Sequence, residues 1–338
     1  MTPLSRFSRT RPSLLLTLAL GLLAGPALVL AQAPGGGGTA LTPSPAVRSS
    51  AATQAPMLGA ARAGKRIVAV GDYGTILLSD DDGQHFRQAG SVPVSSTLTA
   101  VSFADERQGW AVGHWGAILH TADGGETWSV QRTDTAEDRP LFSVHFFDAR
   151  EGVAVGLWSL VLKTRDGGNT WTPVELPAPP EGGKADRNLF KLFASARGSL
   201  FVAAERGMVL RSDDHGDTWR YLNTGYKGSF WSGTALANGS LLVAGLRGTL
   251  YRSTDDGRSW APVATGSKSS LTDLVAVGGR VVGVGLDGVQ IESTDSGASF
   301  SWTQRDDRLS MTAAVAAGAD GLVRFSKRGV VQPGPTHN

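Results

Sequence analysis

The chain has 338 residues, 41% of them hydrophobic, with no cysteine and a formal net charge of +2. The absence of cysteine excludes disulfides, thiolate catalysis and thiolate-bound metal. Arg6, Arg9 and Arg11 stand in the first 31 residues with no acid beside them; the rest carries 29 basic against 30 acidic side chains, so no bulk charge attracts nucleic acid or anionic lipid.

Leu14–Leu30 is an apolar run that follows these arginines and ends at Val29-Leu30-Ala31, a small-residue cleavage pattern. At 17 residues, with Gly21, Gly25 and Pro26 inside it, it is short for a membrane span. Residues 1–31 read as a secretory signal peptide, which implies a periplasmic or secreted protein. Residues 32–56, including Gly35–Gly38, are Ala, Pro, Gly, Ser and Thr with almost nothing large to bury, the composition of a flexible linker.

From there the pattern Ser/Thr-x-Asp-x-Gly-x-x-Trp/Phe recurs six times, at Ser79–Phe86, Thr121–Trp128, Thr164–Trp171, Ser212–Trp219, Ser253–Trp260 and Ser293–Phe300. The steps between its glycines are 42, 43, 48, 41 and 40 residues, a period that fits one four-stranded propeller blade per repeat. In the second repeat, strands are expected at Leu98–Phe103, Gly109–Gly113, Ala117–Thr121 and Thr127–Thr133, an up-and-down blade. Inner strands are expected to begin near Met57, Leu98, Leu141, Leu189, Trp231, Leu271 and Met311, seven in all.

The expected fold is therefore an all-β, seven-bladed propeller over residues 57–333 with four-stranded antiparallel blades and a 334–338 tail. After Met311 the chain offers strands at Gly321–Phe325 and Val330–Gln332 and no fourth. An open edge is avoided in native sheets, so residues 46–53 are expected to supply the closing strand.

In each repeated turn the aspartate (Asp81, Asp123, Asp166, Asp214, Asp255, Asp295) is placed to accept turn amides, and the Ser or Thr two residues earlier ties back to it. The glycine (Gly83, Gly125, Gly168, Gly216, Gly257, Gly297) takes the positive φ. Trp128, Trp171, Trp219 and Trp260 are expected to fill space between blades. Repetition makes these fold residues. Asp80-Asp81-Asp82-Gly83 faintly resembles a calcium loop, but one recurrent acid per copy falls short of the six to eight oxygens calcium takes. No two histidines have zinc-ligand spacing, so neither metal nor cofactor is expected.

Gly109-Trp110-Ala111-Val112-Gly113, Gly116-Ala117-Ile118-Leu119-His120-Thr121 and Asp123-Gly124-Gly125-Glu126-Thr127-Trp128 resemble the photosystem II stability and assembly factor family. That family consists of seven-bladed propellers within the Asp-box repeat superfamily, which also holds the sialidases. Leu141–Phe146, Gly228-Ser229-Phe230-Trp231 and Gly245-Leu246-Arg247-Gly248 are closer to its non-photosynthetic proteobacterial branch, exported proteins that accompany membrane transporters. The resemblance spans about residues 57–332. It implies a non-catalytic scaffold for a membrane or envelope protein complex, without implying photosynthesis.

Two functions of different class follow. A scaffold would use the face opposite the Asp turns, where the second-to-third-strand turns point. There the candidate partner-binding residues are Tyr73, His114, Trp115, Trp158, Arg206, Arg247 and Arg328, with Tyr226, Lys227 and Phe230 in the loop entering blade five. Aromatics and arginines on a rigid frame are the stuff of binding hot spots. The expected partner is a membrane-associated protein, bound by a monomer, with a glycan as the other possible ligand. A sialidase-like glycosidase would need an Arg-Ile-Pro segment near the first blade and a Tyr–Glu pair. Arg139-Pro140 lacks the Ile and lies elsewhere, and none of the four tyrosines has a glutamate at suggestive spacing. Of the acids Glu151, Glu175, Glu205 and Asp287, only Glu205 and Asp287 share the candidate face, two blades apart. No catalytic residue is assigned.

Overall fold

The computed structural model describes residues 44–332 and the backbone of residues 336 and 337. The expected signal peptide and residues 32–43 of the expected linker lie outside the described residues. Within them seven antiparallel sheets follow one another as blades, each beginning with its innermost strand. Those strands are Met57–Ala63, Leu98–Phe103, Leu141–Phe146, Leu189–Ala194, Phe230–Ala235, Leu271–Val277 and Met311–Ala317. Blades one to five have four strands in sequence order; the sixth has four and gains a fifth, Thr336–His337, which pairs with Ser301–Arg305.

The second strand of each of blades one to six is an apolar run such as Gly152–Gly156 or Leu200–Ala204, buried along almost its whole length. Such a run suits a strand covered on both faces, here by the neighbouring blades. Outer strands are short, two to five residues, and mix exposed with half-buried positions; their shortness limits edge-to-edge pairing. The core is correspondingly divided among the seams. Val153, Val155 and Val161 of blade three pack with Leu200, Leu210 and Trp219 of blade four, and Met57 and Ile67 of blade one pack with Ala313 and Phe325 of blade seven.

Blade seven shows three strands among the described residues, and residues 46–53 do not form the expected fourth. They run irregularly into a 3-10 turn at Ala52–Gln54. Ala46 N donates to Val92 O at 3.0 Å, Ser49 N to Gln88 Oε1 at 2.9 Å, and Gln88 Nε2 to Val47 O at 3.0 Å. The segment is thus tied to the outer edge of blade one. Its alanines, Ala46, Ala51 and Ala52, have low strand preference, and it covers blade seven by packing Ala52 near Phe325 and Val330. Gly329 allows that approach: a Cβ there would lie 1.8 Å from Thr53 O.

The ring closes directly between inner strands. Thr312 donates its hydroxyl to Met57 O, Arg62 bridges Ala316 O and Asp82 at 3.0 Å each, and Gly318 N donates to Asp82.

Candidate functional site

Antiparallel order sorts the turns onto two faces. The end of each second strand pairs with the start of its inner strand, as in Gly113 with Leu98 and Gly156 with Leu141. Second-to-third-strand turns therefore share one end of the ring with the loops that enter each blade. The repeated Asp turns lie at the other end.

On the Asp-turn face the six copies make the same hydrogen bonds, except that in the first the His85 ring nitrogen, 2.7 Å from Asp81 Oδ2, stands where the others have a Ser or Thr hydroxyl. Thr164 donates to Asp166 Oδ1 at 2.8 Å, Gly168 N to Thr164 Oγ1 at 2.8 Å, and Thr170 gives its amide and hydroxyl to Asp166 at 2.9 and 2.6 Å. Asp81, Asp123, Asp214, Asp255 and Asp295 have equivalent partners. Gly83, Gly125, Gly168, Gly216, Gly257 and Gly297 hold φ between +77° and +94°. The hydroxyl and amide of residue 170 pull the Asp166 carboxyl down to about 2, and Ser259 does the same to Asp255. These carboxylates are spent on their own turns. Trp128 and Trp219 are buried and Trp171 and Trp260 partly so, in clusters that each join two blades.

On the opposite face the tips of blades one to six share one backbone form. Their second residue is left-handed: Tyr73 (φ 59°), Trp115 (58°), Trp158 (51°), Arg206 (56°), Arg247 (57°) and Asp287 (55°). That conformation costs a side-chain-bearing residue about 1–2 kcal/mol. The next blade holds it in place. Trp158 N donates to Asn188 Oδ1 at 3.2 Å, Arg247 N to Ser270 Oγ at 3.1 Å, and Asp287 N to Ser310 Oγ at 3.1 Å. Asp138 takes Trp115 N at 2.7 Å and pairs with His114 Nδ1 at 2.8 Å.

The Asp turns also contain a left-handed residue directly after the aspartate, and there it is Asp82, Gly124, Gly167, His215, Asp256 or Ser296. One backbone requirement thus recurs on both faces and is met by different residues. Small or polar side chains, which tolerate it, meet it at every Asp turn; on the tip face one Asp, Asp287, does so, and Tyr, two Trp and two Arg fill the other five positions.

Tyr73 is 71% and Trp158 50% exposed; Arg206, Arg247, Lys227 and Arg328 are exposed, and Trp115 and His114 half so. Arg328 sits on the corresponding turn of blade seven, its amide donating to Ser326 Oγ at 3.0 Å. Tyr226 is half-buried, its ring 5.2 Å from Phe230 and 5.9 Å from Tyr251. Phe230 itself is fully buried, packed with Phe193 and Phe201 in the seam between blades four and five. It begins the inner strand rather than standing in the loop before it, and so presents no surface.

The remaining acids and tyrosines do not assemble. Glu205 is held by Asn188 at 3.0 Å and Asp287 by Ser269 at 3.0 Å, on separate blades. Glu151 pairs with Lys163 and His215 on the Asp-turn side. Tyr221 lies 5.8 Å from the Arg187 guanidinium, and Arg187, buried beside the blade-four tip, pairs with Glu181, which lies 3.9 Å from Arg206. No group of three His, Asp or Glu among the described residues could hold a metal ion.

The family model described as photosynthesis system II assembly factor YCF48 matches residues 87–230 and 141–306. Among solved structures, one described as YCF48 bound to D1 peptide is 19% identical with a TM-score of 0.67, covering 85% of this chain and 97% of that one. YCF48 from Cyanidioschyzon merolae is 15% identical with a TM-score of 0.65, covering 82% and 94%. At these identities the structural likeness shows the fold alone. No curated protein matches the chain.

Proposed function

The chain belongs to the photosynthesis system II assembly factor YCF48 family, and we propose that it is a non-catalytic scaffold that binds another protein through its tip face. The observation that carries this is the contrast between faces. A left-handed backbone is required at both sets of turns, yet only the tip face fills it with Tyr73, Trp115, Trp158, Arg206 and Arg247. Backbone strain held by surrounding structure concentrates at functional positions, and Tyr, Trp and Arg dominate binding energy at interfaces.

A relative described as YCF48 bound to D1 peptide supports a protein ligand. The basic, apolar leader at residues 1–31 supports export and a partner in the membrane or envelope, such as a transporter or an assembling complex. The test is affinity capture from detergent-solubilised membranes, comparing the wild type with a folded Trp115→Ala, Trp158→Ala, Arg206→Ala, Arg247→Ala variant. One defined protein captured by the first and lost from the second supports the reading. The same set captured by both overturns it.

A further inference from the structure

Every inner strand carries a β-bulge after its first residue. An extra residue at a bulge redirects a side chain, and the seven here are Leu58, Thr99, Phe142, Phe190, Trp231, Thr272 and Thr312. All seven line the central channel, at the end where the tips stand. The threonines act as latches: Thr99 donates to Leu141 O at 2.6 Å, Thr272 to Met311 O at 2.9 Å, and Thr312 to Met57 O, each reaching the first residue of the next blade. Blades three, four and five have aromatics there instead. Phe142 and Phe190 have no hydroxyl to latch with; their rings stack 5.7 Å apart, partly exposed, beside the partly exposed Trp231.

Beneath this arc Lys191 reaches across the channel to Asp273, 3.2 Å away. Asp273 is buried and also accepts from Ser232 Oγ and the amides of Leu274 and Ala314. The ammonium is the accessible end of the pair and has two N–H donors beyond the one it gives to Asp273. Above blades four and five and the loop entering blade six lie the exposed cations Arg206, with Glu181 at 3.9 Å, Lys227, Arg247 and Lys268. The channel encloses about 310 Å³, room for a side chain.

We infer that the channel mouth over blades three to five takes an apolar side chain from an extended segment of the partner, flanked by carboxylates that Lys191 and the rim cations receive. This rests on the scaffold reading and adds the seat and the chemistry of what fills it. Replacing the aromatics by threonine supplies the residue that the fold already carries at positions 99, 272 and 312, so the variant keeps its fold.

The experiment selects displayed random decapeptides on the full protein. It then measures the affinity of the enriched synthetic peptides for the wild type, for Phe190→Thr/Trp231→Thr, and for Trp158→Ala/Arg247→Ala. The expected result is a consensus of one large apolar residue next to Asp or Glu, bound at least tenfold more weakly by Phe190→Thr/Trp231→Thr at unchanged or raised Tm. Equal affinity for that variant, with loss in Trp158→Ala/Arg247→Ala, overturns the channel mouth and leaves the tip face standing. Binding that survives both variants, or enrichment of no sequence, overturns both.

Discussion

Lys163 is the sharpest test of how the seams between blades are held. It lies on the third strand of blade three, its side chain 1% exposed, with Glu151 at 3.0 Å and Asp217 of the blade-four Asp turn at 2.9 Å. Methionine keeps the stem and removes the charge, so Lys163→Met isolates the ion pairs. Removing one partner of a buried pair costs about 3–5 kcal/mol. Here the carboxylates keep 25% and 43% exposure and second partners, His215 at 2.9 Å and Arg165, which lowers the expected loss to about 2 kcal/mol. For a domain of this size that corresponds to a fall in Tm of roughly 3 °C, read by circular dichroism at neutral pH.

The sign of the pH dependence follows. Burial works to raise Glu151 and Asp217, but hydrogen bonds with His215 and Lys163 in one, and with Lys163 and Arg165 in the other, outweigh it and hold both below the usual carboxylate range. Groups depressed in the folded state contribute stability above their unfolded pKa and lose it as pH falls through the folded one. The penalty of Lys163→Met is therefore full at neutral pH and shrinks below about pH 4. A Tm within 1 °C of wild type at pH 7, or a penalty that grows on acidification, refutes the reasoning.

Three further outcomes are expected. Thr272→Val removes a latch to Met311 O and Val284 O and costs about 1 kcal/mol, seen as a lower denaturant midpoint at unchanged slope; no shift would mean the latches carry no stability. Asp166 and Asp255, both held down to about 2 by their turn hydroxyls, stabilise above the ordinary carboxylate pKa, so acid unfolding of the wild type should develop between about pH 4 and 2. Asp166→Asn/Asp255→Asn should flatten that transition, and an identical acid profile would contradict it. Gly329→Ala drives a Cβ into Thr53 O at φ +86°, so limited proteolysis should cut residues 46–55 faster than in wild type, and equal rates would mean that the segment does not depend on blade seven.

The Asp turns were legible because their chemistry is local: a hydroxyl, a carboxylate and a glycine within five residues specify their own hydrogen bonds. Counting inner strands gave seven blades for the same reason, since each begins with an apolar residue at a regular interval. What the sequence hid depends on the ring. The left-handed tips are imposed by the next blade, through Asn188, Ser270 and Ser310, which lie 23 to 30 residues beyond the residues they hold. Phe142, Phe190 and Trp231 read as ordinary strand residues, because a bulge is a property of pairing rather than of composition. Lys163, in Val161-Leu162-Lys163-Thr164, looks like the outward member of an alternating strand, but in the ring it is buried between Glu151 of its own blade and Asp217 of the next blade's turn. Closure by residues 46–53 was expected from a general need to cover an edge, which the chain meets by packing a 3-10 turn there instead.

The central claim, a protein partner on the tip face, is tested most directly by site-specific photocrosslinking. A photoreactive phenylalanine analogue would be placed at 158 or 247 on the tip face, and at 169 or 258 on the Asp-turn face, and irradiated with the native membrane fraction. The account predicts one discrete protein adduct from 158 and 247, and none from 169 and 258. Adducts of equal or greater yield from 169 and 258 would contradict it.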